Sequence, residues 1–402
     1  MIRSIFYERY LRMFDFDTII DRKDTGSIKW DSNVKLFKNP DVIPMWVADM
    51  DFQSPPQVNE ALLQRAQHGI YGYTEVSERY LEQIKNWMQR RFHWPIRTEW
   101  VVHSPTVYTS LYMLVQALTA PRDKILIQTP VYPPFHTCVL DNDRELIFNP
   151  LQRQGAQYVM DFDDLDHKLA GKVKMMILCS PHNPVGRVWS TAELVRVAEL
   201  CLKHNVLLIS DEIHSDLVFK GHQHHVMAAV APELEKQLIT LTSPSKTFNL
   251  AALSTSFAVI ADADLRNRFK SILKNTHAWA PNIFGLIAAE VAYEFGDPWV
   301  EELLAYLEAN RDLLLDFISK HIPALQAIKP EGTYLAWLDG RELGLGEDLN
   351  AFFAIKAKVG FSDGKAFGID GQGFQRINFA CPRSRLLQAL RNMETAVKAR
   401  TL

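Results

Sequence analysis

The sequence predicts an α/β fold: a large, mostly parallel sheet covered by helices, joined to a smaller α+β domain. Three observations carry this. Short, nearly all-apolar runs alternate with amphipathic stretches through the first two thirds of the chain, the texture of strands buried on both faces. After about residue 282 the alternation stops and two long helical patterns run on before another strand. At 402 residues the chain also exceeds what one hydrophobic core usually supports.

The elements follow in order. The first 45 residues lack the strand–helix rhythm and read as an arm that wraps another part of the molecule or a partner subunit. A helix is expected over 107–118, introduced by Ser104-Pro105-Thr106. Strands are expected at 124–128 (KILIQ), 174–179 (KMMILC), 206–210 (VLLIS), 238–242 (LITLT) and 256–260 (SFAVI). Between them, 190–204 places Leu194, Val197, Ala198 and Cys201 at helical spacing behind Ser190 as a cap. Helices over 284–295 and 298–320 come next, the second with Asp297 as N-cap and Pro298 at its first position. A strand at 334–338 and a helix from 384 close the chain. The predicted division is an arm and extension over 1–45 that joins the small domain, a large domain over 46–281, and a small domain over 282–402.

Composition excludes several classes of function. Lys plus Arg number 44 against 47 Asp plus Glu, a net charge of −3, so no basic surplus exists to neutralise phosphates and no nucleic-acid partner is expected. Hydrophobic residues at 47% and charged residues at 23% are globular proportions, not those of a disordered chain. Cys138, Cys179, Cys201 and Cys381 form no C-x-x-C pair, so neither a zinc site nor a disulfide framework is expected. No run approaches the roughly 20 apolar residues of a membrane span, and the opening residues lack a secretory pattern. A soluble cytoplasmic enzyme with no membrane partner is the expectation.

Open parallel sheets bind ligands beyond the carboxyl ends of their strands, and polar residues gather at those ends here. Ser243-Pro244-Ser245-Lys246 follows LITLT. A desolvated lysine there could attack a carbonyl, although alone it reads as a surface residue. Asp211 ends VLLIS and suits a buried cation or a turn equally. Asn183, between Pro181 and Pro184, sits in a stiff turn that would aim its amide. The helix start at Thr106 and Val107 offers free amides to a phosphate, as every helix start does. His222, His224 and His225 lack a carboxylate or cysteine at ligand spacing and read as a solvated loop, with no metal site. Arg383 reads as a cap or pair near the last helix, and Trp46, Trp87, Trp94 and Trp100 as core or interface aromatics.

Taken together and in this order, these elements resemble the fold-type I pyridoxal-phosphate enzymes of the aspartate aminotransferase superfamily. The closer likeness is to its MalY/PatB branch of cystathionine β-lyases and cysteine–sulfur lyases. The motifs that carry it are MFDFDTIIDR from Met13, VADMDF (47–52), YGYT (71–74), TPVYPPF (129–135), CSPHNPVGRVW (179–189), SDEIHSDL (210–217), TSPSKTFNL (242–250), EGTYLAWLD (331–339) and GFQRINFACPRS (373–384). That family begins near MFDF, so residues 1–12 read as an extension or a misassigned start.

The resemblance implies that residues 46–281 bind pyridoxal 5'-phosphate. Lys246 would bind the cofactor as a Schiff base and then remove the substrate Cα proton. Asp211 would pair with the pyridine nitrogen, Asn183 would donate to the phenolate oxygen, and Tyr132 would stack on the ring. Thr106, Val107 and Ser243 would hold the phosphate, with Tyr73 reaching it from the other subunit of a homodimer. Arg376 would clamp the substrate carboxylate. His214 replaces the tyrosine usual in aminotransferases, and Ser254 replaces an arginine that elsewhere binds phosphate. The implied activity is elimination of a thiol from a sulfur amino acid, giving pyruvate and ammonia, within methionine and sulfur amino acid metabolism. The alternatives are an aminotransferase of the same fold and a regulatory protein that binds a transcription activator.

Overall fold

The structure is a computed structural model that describes residues 14–345 and 348–401. The expected extension at 1–12 lies outside the described residues. The large sheet contains β1 (Val101–Ser104), β2 (Lys124–Ile127), β3 (Glu145–Phe148), β4 (Val173–Cys179), β5 (Leu207–Asp211), β6 (Leu238–Thr242) and β7 (Ser256–Val259). Their spatial order is β3-β2-β4-β5-β6-β7-β1. The run β3 to β6 is parallel, and β7 lies antiparallel to both β6 and β1.

The apolar runs form strands because both faces are covered. Met176, Leu178 and Leu208 pack with Leu194, Val197 and Cys201 of a helix at Thr191–His204. The alternate residues Ile177, Ile209 and Leu241 pack with Leu111 and Leu114 of a helix at Val107–Leu118. We call the Val107–Leu118 helix α1 and the Thr191–His204 helix α2. The second has the expected Ser190 cap, completed by Glu193 as a capping box. Strands β1 and β3 were not expected. β1 (VVHS) buries a histidine and a serine, and β3 is a half-exposed edge strand, so neither carries the apolar signature.

Beyond the large sheet, α3 (Ile283–Phe295) and α4 (Asp297–His321) lead into a second sheet. It comprises β8 (Gln326–Ile328), β9 (Leu335–Asp339), β10 (Ser362–Asp363) and β11 (Phe374–Asn378), antiparallel in the order β8-β9-β11-β10. Helix α5 (Arg383–Thr401) closes the described chain. Gly296, not Asp297, is the N-cap of α4. The Asp297 carboxylate is instead drawn to Arg90, whose Nε donates to it at 2.8 Å. Arg383 opens α5, donates to Asn310 Oδ1 at 3.2 Å and lies over the Tyr306 ring.

The arm packs on this second region: Ile43–Pro44 pairs in parallel with Val359–Gly360, and Asn39 donates to Ala354 O. Its charged residues converge on the 46–51 loop. Arg22 meets Asp49 at 2.8 Å and Asp51 at 2.7 Å, while Lys29, 1% exposed, meets Asp51 at 3.1 Å and Asp49 at 3.4 Å. Removing one partner of a buried pair strands the other. Asp51→Ala is therefore expected to cost about 3–5 kcal/mol, read as a lowered denaturant midpoint at unchanged slope.

Candidate active site

A cavity of about 830 Å³ opens beyond the carboxyl ends of β4, β5 and β6 and is closed on its far side by the arm and the second sheet. The register explains why these ends converge. Cys179 of β4 pairs with Asp211 of β5, and Asp211 with Leu241 of β6, so the following turns leave the sheet at one level.

Lys246 lies on a short helix at Pro244–Thr247, behind Ser243, whose hydroxyl accepts from Ser245 N at 3.0 Å. Its side chain lines the cavity, and Nζ donates to Ala48 O at 2.8 Å. Burial pushes its pKa down to about 8; the Asp49 carboxylate opposes this, Arg376 adds to it, and Asp211 opposes it again.

Asp211, 3% exposed, accepts from Ile213 N at 3.2 Å. Among the described residues no cationic side chain donates to it. Burial therefore raises its pKa to about 7, the Ile213 hydrogen bond restrains the rise, neighbouring Glu212 adds to it, and Lys246 lowers it. Glu212 points to the other side of the strand end, where it accepts from Ser210 Oγ (2.8 Å) and Met227 N (3.0 Å) and pairs with His224 Nε2 (2.9 Å). This corrects the reading of the histidine cluster as a solvated loop. His222 is exposed, but His224 is 6% exposed and partners a carboxylate twelve positions away, a spacing no local pattern reveals. No group of metal ligands forms among the described residues.

Arg376 sits on β11 between Trp337 of β9 and Ser362 of β10. Its Nη1 donates to Asn183 Oδ1 at 3.1 Å, and its Nη2 to Trp46 O at 2.6 Å and Ser362 Oγ at 3.0 Å, while Nε is buried without a partner. Because Asn183 spends its oxygen on Arg376, its NH₂ group remains as a donor at the cavity wall. His214, 3% exposed, has a buried Nδ1 without a partner. Burial lowers its pKa to about 3, so the ring is neutral. The Tyr132 ring forms another part of the wall.

At the opposite end, Thr106 caps α1, its hydroxyl accepting from Thr109 N at 3.0 Å, and the first residues of this 12-residue helix, where backbone amides lack helical partners, line the cavity. Ser243 Oγ donates to Thr255 O at 2.7 Å, and Ser254, in the left-handed conformation at φ 45°, lines the same end. Tyr73 is not part of this cavity: its ring is fully exposed in the single chain. Sequence reasoning missed the Trp46–Ala48 backbone, Ser362 and Tyr334, whose hydroxyl donates to Ala48 O at 2.8 Å. Trp46, read as a core or interface aromatic, lines the cavity. Carbonyl acceptors carry no residue-type signal, and VADMDF was legible only as a motif.

These residues fit pyridoxal phosphate. A buried carboxyl without a cation suits a protonated pyridine nitrogen, a lysine of lowered pKa suits its aldehyde, and helix amides suit its phosphate.

Comparisons with known proteins agree. The family model described as aminotransferase class I and II matches residues 32–393. Cystathionine beta-lyase PatB of Bacillus subtilis is 40% identical over 95% of this chain and all of its own length. Protein MalY of Escherichia coli is 34% identical over 96% of this chain and all of its own. The crystal structure of cystalysin from Treponema denticola, which contains a pyridoxal 5'-phosphate cofactor, superposes with a TM-score of 0.93 at 35% identity, covering 96% of this chain and all of that one.

Proposed function

Because this chain belongs to the aminotransferase class I and II family, we propose that it is a pyridoxal-phosphate-dependent carbon–sulfur lyase of the cystathionine β-lyase type. It eliminates a thiol from the β carbon of a sulfur amino acid and yields pyruvate and ammonia. The observation that carries this is Lys246 and the cation-free Asp211 lining one cavity, with Arg376 beside them. Likeness to lyases over nearly the whole chain selects elimination among the reactions such a site can run.

When bound, the cofactor supplies an electron sink for negative charge at the substrate Cα. Asp211 Oδ would hold the proton on the pyridine nitrogen by charge, and the free NH₂ of Asn183 would donate to the phenolate oxygen. Tyr132, in the cavity wall, would pack against the cofactor, and Thr106, Val107 and Ser243 would hold its phosphate. Arg376 Nη1 and Nη2 receive the substrate carboxylate, exchanging part of their contact with Trp46 O and Ser362 Oγ for it. Lys246 Nζ, held by Ala48 O, takes the Cα proton and is then placed to return it to the departing sulfur. As pH rises through about 8 the amine loses its proton and can act as base, so the rate of this step rises with pH.

The protein works as a cytoplasmic homodimer in sulfur amino acid metabolism leading to methionine, with Tyr73 extending to the phosphate of the neighbouring subunit. Its full exposure in one chain supports that reading. Arg376→Lys keeps the charge but loses the fork. It is expected to raise KM roughly 10–100-fold, the loss of one charge-assisted hydrogen bond, with a smaller change in kcat. The function itself is tested by supplying L-cystathionine, L-cystine, L-cysteine and S-alkyl cysteines and measuring pyruvate and free thiol. Both should form from at least one; neither forming from any would refute the lyase reading.

A further inference from the structure

The 46–51 loop gives the site two backbone acceptors. Trp46 O holds Arg376, and Ala48 O holds both Lys246 and Tyr334. A loop of bare carbonyls needs something to fix it, and the fixing groups are charged and largely buried. Arg22 makes a two-point contact with Asp49, at 3.3 and 2.8 Å, and a further one to Met50 O at 3.1 Å. Lys29 Nζ reaches both Asp49 and Asp51, and Trp30 Nε1 donates to Asp51 at 3.1 Å. Asn378, two residues beyond Arg376, donates to Val47 O and to Asp49 O at 2.5 and 2.6 Å.

Of the two acids in this cluster, they differ in what they face. Asp51 is 1% exposed, turned away among Lys29, Arg22, Trp30 and Arg385. Asp49 follows Ala48 directly, so its charge lies one residue from the carbonyl that receives Nζ and opposes the loss of the Lys246 proton; it also acts on Tyr334. With the cofactor in place, Asp211 would pair with the pyridine nitrogen. Asp49 is then the carboxylate left to balance Arg376 at the amine.

We propose that Asp49 is a positioning residue for Lys246: gripped by Arg22 and Lys29 of the arm, it fixes the Ala48 carbonyl that receives Nζ and sets the charge the amine experiences. The arm thereby tunes the base without touching substrate. The groups around Nζ are Ala48 O and the nearby Asp49 charge from the loop, Asp211 and the neutral His214 at the end of β5, Tyr334, whose hydroxyl shares Ala48 O, and Arg376 from β11. Removing the Asp49 charge favours the neutral amine, so its deprotonation moves to lower pH. Removing Arg22 leaves that charge less balanced and moves it to higher pH.

This rests on Lys246 being the reacting amine but not on elimination being the reaction. The test is therefore the rate at which the full-length, cofactor-stripped protein takes up pyridoxal phosphate covalently, followed by absorbance across a pH range bracketing about 8. Asp49→Asn should shift the half-maximal pH down by about one unit, Asp49→Glu should leave it near the original value, and Arg22→Met should shift it up. A loop that is merely loosened would admit water and move both neutralising variants upward. Asp49→Asn moving upward or not at all overturns the proposal. If that variant does not fold, an unchanged or lowered value for Arg22→Met does so instead. Failure of the unsubstituted protein to release pyruvate, with these shifts intact, would count against the lyase reading alone.

Discussion

Lys246→Ala is expected to reduce pyruvate formation roughly 10⁴-fold, the upper end of what a positioned acid–base group contributes. The reason is concentration of tasks in one atom: Nζ is both the attachment point for the cofactor and the acceptor of the Cα proton. The protein should still fold. Burial has already pushed the amine toward its neutral form, and the carbonyl it donates to, Ala48 O, is shared with Tyr334. Removing the side chain leaves no buried charge stranded, so the melting temperature should hold while kcat collapses. A small primary amine added to the variant should restore part of the rate, because the vacated volume adjoins the cavity. A variant that kept more than a tenth of the rate would place the base elsewhere.

Asp211→Asn is expected to lower kcat about 10²–10³-fold, comparable to deleting one fixed electrostatic partner in an active site. The amide is isosteric and still accepts from Ile213 N, so the strand end should not move. What it cannot do is balance a protonated pyridine nitrogen. An acid held near neutrality by burial gains a charged partner when the cofactor binds, and its carboxyl should then ionise well below about 7. In the asparagine variant the ring nitrogen loses that incentive. Cofactor should be retained through the helix amides, while turnover fails at proton removal. Stopped-flow absorbance with a slow substrate separates these two steps. Unimpaired turnover with bound cofactor would mean that Asp211 serves only the turn.

The strand-end chemistry was legible because chain direction and apolarity fix where β4, β5 and β6 finish, and the polar residues that follow must share one edge. Lys246, Asp211 and Asn183 were found in that way, and the structure brings them to a single cavity. Edge strand β3 and the buried polar end of β1 left no apolar run to read. The N-cap of α4 was misplaced by one residue because Arg90, more than two hundred positions away, competes for Asp297. His224 was misread for a similar reason: its partner Glu212 lies on the far side of a strand end. Where a side chain answers to a distant charge or a backbone carbonyl, sequence spacing carries no trace of it.

The central claim is that the site eliminates rather than transfers. The direct measurement is pyruvate formed per active site from L-cystathionine with no keto acid present. The lyase account predicts many equivalents, accumulating linearly, with the cofactor spectrum unchanged at the end. Absence of pyruvate, with one equivalent of the oxo acid of cystathionine formed per site and the cofactor left in its amine form, would contradict it and identify an aminotransferase.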